Sequence, residues 1–237
     1  MASSPSRART APHAKQINST QQVVPGLTAA RELLAKSELD AAERAARNYI
    51  ASNPTKSDGH FLLGLILFRQ VQSVARSRNP VLAPGDIPST AMDANRRNQK
   101  IQESLAAYTA GAKFGKPSAG DLKVVSLEYV LLEDYVSADK WLTLALEWDP
   151  RDAEAWYYLG RTKYSENRFE EAVVSYQKCL ALRSDYVLAA NGLGLSYAGL
   201  NRNVEAASWM RKAIALQENA ASKTPEPYID LGDLLNQ

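Results

Sequence analysis

The sequence predicts an all-α chain, a stack of antiparallel helix hairpins, and three observations carry that expectation. The first is a period: Leu159-Gly160, Ala172, Tyr176 and Cys179 are echoed 34 positions on by Leu193-Gly194, Ala206, Met210 and Ala213. A fixed period of this length marks stacked supersecondary units, each burying its apolar face on the next. The second is that each period holds two apolar patterns at helical spacing. Trp156, Leu159, Gly160 and Lys163 stand at i, i+3, i+4 and i+7, with only Lys163 breaking the apolar rule, and Ala172, Val173, Tyr176, Cys179 and Leu180 form a second face. The third is that no alternation of apolar and polar residues is sustained, so strands are not expected.

Taken in chain order, residues 1–22 hold Ser, Thr, Pro and Gln, the cations Arg7, Arg9 and Lys15, and no acid, which predicts a disordered N-terminal tail. From Val23 to Gln237 the chain divides into frames 23–56, 57–118, 119–152, 153–186 and 187–220, followed by a single terminal helix over 225–237. Four frames are 34 residues long; the second carries 28 more, inserted at about 73–100. Asn79-Pro80, Ala83-Pro84-Gly85 and Ile87-Pro88 forbid a continuous helix there. Both helices of the second hairpin are therefore expected to run past the normal turn and to be joined by an irregular loop. Arg76, Arg78, Arg96, Arg97 and Lys100 outnumber Asp86 and Asp93, but a tolerated surface insertion is preferred over a basic contact site. In the fourth frame Asn167-Arg168 marks the turn between helices, and Ser184-Asp185 separates that frame from the next.

In these registers the chain resembles the tetratricopeptide repeats. That family places Trp, Leu, Gly and Tyr at positions 4, 7, 8 and 11, Ala at 20, an aromatic at 24, Ala at 27 and Pro at 32. The fourth frame supplies Trp156, Leu159, Gly160, Ala172 and Tyr176, with Cys179 in the small slot and Ser184 in the Pro slot; the fifth supplies Leu193, Gly194, Tyr197, Ala206 and Ala213. The third has Tyr129, Ala138, Ala145 and Pro150 with Ser126 for Gly, and the first has Ala30, Ala42, Ala46 and Pro54. Gly64, Ser104, Tyr108 and Gly111 mark the second, and Tyr228, Leu231 and Gly232 the last. The resemblance implies a right-handed superhelical array, an α-solenoid, in which positions 8 and 20 meet where two helices cross most closely. Trp156 is expected in the core, and Trp141 and Trp209 at its edge.

Composition excludes several classes. The 237 residues are 45% hydrophobic and 23% charged with net charge +2, which fits a folded chain and gives no sign of a nucleic-acid partner. No apolar run is long enough for a membrane span, and no secretory signal is visible, so a cytoplasmic protein is expected. The two histidines are far apart and Cys179 is the one cysteine, so neither a metal site nor a disulfide framework is implied. Cys179 is expected to be a buried, inert thiol. No phosphate loop, nucleophile elbow or carboxylate pair appears; Glu170-Glu171 reads as solvated acid at a helix start. The chain is expected to be no enzyme and to need no cofactor.

Function then rests on the face that the resemblance turns into the concave groove, positions 2, 5, 9, 12 and 13 of each first helix. Those slots hold Lys123, Leu127 and Val130 in the third frame, Glu154, Tyr157, Arg161 and Tyr164 in the fourth, Asn191, Leu195 and Ala198 in the fifth, and Glu226, Ile229 and Asp233 in the sixth. Lys123, Leu127, Tyr157, Arg161, Tyr164, Asn191 and Leu195 are the candidate contacts. Aromatic area beside a planar cation is common in binding hot spots, and Leu127 and Leu195 would leave apolar surface for a peptide or an amphipathic helix. A non-catalytic protein-interaction scaffold is the expectation. The family's chaperone-tail clamp is disfavoured, because Tyr157, Arg161, Gly192, Glu226 and Asp230 occupy its slots, the last two with the wrong sign for an anion. The alternative is an N-terminal regulatory or targeting module of a longer protein, enzymatic or not, truncated at residue 237. The apolar Leu231, Leu234 and Leu235 of the unfinished last frame suggest it, and also suggest self-association through that end.

Overall fold

The computed structural model describes residues 25–78, 91–218 and 225–235. Within them lie α1 (Pro25–Ala35), α2 (Leu39–Ser52), α3 (Ser57–Arg78), α4 (Ala91–Ala112), α5 (Ala119–Leu131) and α6 (Tyr135–Trp148). Then come α7 (Ala153–Ser165), α8 (Phe169–Leu182), α9 (Val187–Gly199), α10 (Asn203–Glu218) and α11 (Glu226–Leu235). No strand occurs among the described residues. The expected tail over 1–22 and the irregular loop inside the insertion fall outside them.

Consecutive helices pair as antiparallel hairpins, and each hairpin packs on the next. The odd-numbered helices α5, α7, α9 and α11 also pack in succession, so they share one face of a right-handed superhelical array.

The hairpin turns have a common cause. Ser37, Glu133, Asn167 and Asn201 all occupy the fifteenth place of their frames, and all four take positive φ, between 58° and 61°. Three residues past each first helix, the amide of Glu38, Asp134, Arg168 or Arg202 donates to the carbonyl five residues back, at 2.9–3.0 Å. This left-handed stop satisfies carbonyls that a helix end would leave open. The equivalent residue of the second hairpin is Val71. A β-branched residue resists positive φ, and α3 runs through it to Arg78, while α4 likewise starts early; each is 22 residues long.

Where the two helices of a hairpin cross, small residues admit large ones. The Ser104 hydroxyl donates to the Gly64 carbonyl at 2.8 Å, joining positions 20 and 8. A Cβ added to Gly64 would meet the Tyr108 ring at 2.6 Å, one on Gly160 the Tyr176 ring at 2.8 Å, and one on Gly194 the Met210 side chain at 2.8 Å. Position 24 therefore fills the space that glycine at 8 leaves. The other frames hold the compensating pairs Ser126 with Leu142 and Ala30 with Ala46, where a larger residue at 8 accompanies a smaller one at 24. Tyr176 reaches further, to within 2.5 Å of a Cβ on Gly192, so one ring occupies vacancies in two successive repeats.

The buried apolar residues form two clusters. One, from Leu27 to Ala107, binds α1 to α4; the other begins at Phe68 and Val71 on α3 and ends at Leu234 on α11. Cys179 lies in the second, and burial pushes its thiol up to about 12, so it is protonated at neutral pH. Trp156 departs from the core position expected for it: it is only partly buried, its indole N–H donates to the Pro150 carbonyl at 2.9 Å, and Lys178 lies 4.1 Å from its ring centroid. Lysines also sit on the other three tryptophans, Lys116 on Trp148, Lys140 on Trp141 and Lys212 on Trp209.

Candidate functional site

The candidate site is the shared face of α5, α7, α9 and α11. Side-chain caps fix the start of two of these helices. Ser118 and Asp121 cap α5 reciprocally, at 3.1 and 2.8 Å, and the Asp152 carboxylate accepts from the Ala155 amide at 3.0 Å to start α7. Residues four apart then stack along one stripe of each helix.

On α5, Lys123 reaches across to α7, with its ammonium 2.7 Å from Asp152 and 3.0 Å from Glu154. Burial works against its charge, but these two carboxylates outweigh it and raise its pKa. One turn on, Leu127 is 4% exposed, so it offers no apolar surface to a partner. It lies in the cluster that Phe68 and Val71 open, and the lengthened α3 packs on α5.

On α7, Tyr157 is 5% exposed; its ring stacks on Tyr186 at 5.0 Å and meets Tyr158 edge-on at 5.0 Å. It is a floor of the face, not an open hot spot. Arg161 and Tyr164 remain partly exposed. The Tyr164 ring packs 5.4 Å from Phe169, and burial, then the nearby Asp230 charge, raises its hydroxyl pKa.

On α9, Leu195 is partly exposed and packs on the main cluster, while Asn191 is 6% exposed and gives its Nδ2 to Asp230 Oδ2 at 2.6 Å. Of the seven residues singled out from sequence, Lys123, Arg161, Tyr164 and Leu195 thus present surface, and Leu127, Tyr157 and Asn191 support it from beneath. Asp230 accepts from Asn191 and its charge reaches Tyr164, and Tyr186 stacks on Tyr157; neither Asp230 nor Tyr186 was singled out as a contact. The signal for Asp230 was present, since it fills a clamp slot with the opposite sign.

Such a face can bind but shows no arrangement for bond-making. Its polar groups are carboxylates, an amide, a phenol and the cations of Lys123 and Arg161, beside the stacked rings of Tyr157 and Tyr186. Among the described residues no group of His, Cys, Asp and Glu is arranged to hold a metal ion, and no helix is long and apolar enough to cross a membrane.

Patterns of the tetratricopeptide repeat match residues 153–186 and 27–82. This chain carries tetratricopeptide repeats. The curated relatives include the peroxisomal targeting signal receptor of Kluyveromyces lactis, 36% identical over 74 residues, which is 31% of this chain and 13% of the receptor. The human PEX5-related protein is 33% identical over 66 residues, 28% of this chain and 10% of that protein. The chain therefore spans only a small part of the length of these relatives. Among solved structures, YrrB, described as a TPR protein with an unusual peptide-binding site, superposes with a TM-score of 0.61 at 17% identity, covering 85% of this chain and 90% of that one. MamA from Desulfovibrio magneticus RS-1 gives 0.62 at 15% identity, covering 84% and 96%. These likenesses establish the solenoid. Tetratricopeptide repeats are protein-interaction scaffolds, and this chain has that architecture.

Proposed function

We propose that this tetratricopeptide repeat protein is a non-catalytic scaffold that holds a peptide or helical segment of a partner protein along α5, α7, α9 and α11. The observation that carries the reading is the layering of this face. Partly exposed Lys123, Arg161, Tyr164 and Leu195 lie on three consecutive first helices, on the same face as the buried Tyr157, which stacks on Tyr186. A face preformed in this way loses little ordering entropy on association. The peptide-binding site ascribed to YrrB, a protein of the same fold, supports the reading.

Random dodecapeptides displayed on phage and selected against the chain test it. Capture should fall about tenfold or more for Leu195→Glu, which puts a charge in the centre of the face. Undiminished capture by that variant, with its helix content intact, removes the groove from consideration. The alternative, a regulatory or targeting module of a longer protein, draws on the receptors that match over a small part of their length. Reading the transcript past the codon for Gln237 tests it.

A further inference from the structure

The last helix lines one corner of this face with acid. Glu226, Asp230 and Asp233 stand at i, i+4 and i+7 on α11, one stripe of the helix. None of the three forms an ion pair among the described residues. The strain is visible at Asp230: burial, then repulsion from Asp233 and Glu226, lifts its carboxyl above the ordinary range despite the bond from Asn191.

A second observation points to a ligand with donors. The Asn191 amide is turned toward this corner, since its Nδ2 lies 2.6 Å from Asp230, and the Oδ1 of the same amide has no partner although the residue is 6% exposed. A buried acceptor without a donor is costly to leave unmade. Tyr164 adds a phenol within electrostatic reach of Asp230. Three carboxylates and an amide oxygen thus share this corner, with the Asn191 Nδ2 as the donor to Asp230 and no cation paired to the acids among the described residues. Leu195, one turn along α9 from Asn191, supplies apolar surface beside the polar corner.

We propose that this corner is a subsite for a lysine or arginine side chain of the segment bound along the face, with the charged head at Asp230 and the aliphatic stem on Leu195. The chemistry matches term by term: a positive charge for the unpaired acidic stripe, several N–H donors for the unpartnered acceptors, and a methylene stem for the leucine. An acidic segment meets repulsion at the same place. The proposal rests on the groove reading and adds the charge of one ligand residue.

The test uses the same displayed dodecapeptides. Peptides selected by the wild-type chain should share a basic residue at one aligned position. Replacing it by norleucine should weaken binding about tenfold in fluorescence anisotropy. Asp230→Asn should shrink that penalty to about twofold while binding the norleucine peptide as the wild type does. Asp233→Asn, which leaves the Asn191 bond in place, should shrink it partway and covers the case in which Asp230→Asn loosens α11. Peptides that depend on Leu195 but share no basic position overturn the subsite and leave the groove reading standing. So does a norleucine penalty that is unchanged in both variants. Peptides indifferent to Leu195→Glu overturn the groove reading, and the subsite with it.

Discussion

The hairpins α3/α4 and α7/α8 solve the same packing problem with different turns. Both cross at a glycine covered by a tyrosine ring, Gly64 under Tyr108 and Gly160 under Tyr176. Yet α7 stops at Asn167 with φ 58°, while α3 passes through Val71 and continues. The crossing is thus set by the glycine–tyrosine pair and not by the turn, which leaves the turn free to lengthen. The lengthened α3 still packs on α5, as α7 packs on α9. A second contrast sits at position 11, where α3 has the buried Leu67 and α7 has Lys163. The ammonium of Lys163 lies 2.6 Å from Asp139 and 3.3 Å from Glu171, within a network that includes Arg168.

The largest expected effect breaks that second contrast. Lys163→Ala should cost about 3 kcal/mol, because it removes the pair and also leaves a cavity where the buried side chain lay. Lys163→Leu, which copies Leu67, should stay within about 1 kcal/mol of wild type, since Arg168 still holds Asp139 at 2.9 Å. Hydrogen exchange of the α7 and α8 amides reads both, and an equal loss for Leu and Ala would show that the two positions are not interchangeable.

Next come Gly64→Ala and Gly160→Ala, each expected to cost about 2 kcal/mol by overpacking. The comparison demands similar losses in the two hairpins; a much milder effect in α3/α4 would mean that the turn shares in setting the crossing.

Glu128 sharpens the junction between the long hairpin and the regular array. It is fully buried on α5 beside the Ser104 hydroxyl, which donates to the Gly64 carbonyl, and burial pushes its carboxyl well above the ordinary 4.5. The folded state therefore keeps the proton longer than the unfolded state does. Its contribution is intact below the ordinary value and is lost as pH rises toward the folded one. Glu128→Gln should gain about 1–2 kcal/mol at neutral pH, and the gap to wild type should widen steadily from acid to neutral. A flat gap in urea titrations at several pH values would contradict this.

The smallest effect belongs to the turn. Asn167→Val installs the residue of the long hairpin where positive φ is needed and should cost about 1–2 kcal/mol, seen as faster exchange confined to the α7/α8 junction.

The fold was legible because close contacts leave a residue-type record. Gly, Ala or Ser at positions 8 and 20 can be read directly, and so can the prolines that exclude a continuous helix from the insertion. The candidate face was legible in position but not in exposure. Slots 5 and 9 describe one helix, whereas the burial of Leu127 depends on what packs against α5 from elsewhere in the array. Tyr157 was hidden by its stacking on Tyr186, a loop-edge residue outside the groove register. Glu128 shows the same limit for charge, because it looks like a solvated residue in sequence and only the neighbouring hairpin decides otherwise, whereas Lys163 was marked by its place in the apolar stripe. The pairing of position 8 with position 24 by volume was available in the sequence, in Ser126 with Leu142 and Ala30 with Ala46, once the aromatic slot is read as one half of a pair.

The placement of the tryptophans gives the molecule a built-in optical asymmetry. All four lie between residues 141 and 209, each with a lysine ammonium 4.1–5.8 Å from its ring centroid. Their emission therefore reports on the half of the array that carries the candidate face, while α1 to α4 contribute ellipticity and no tryptophan light. An array that frays from the long hairpin would lose ellipticity first and keep its emission, whereas one that opens from α10 would do the reverse. A single denaturant series read by both signals would order the steps without any label.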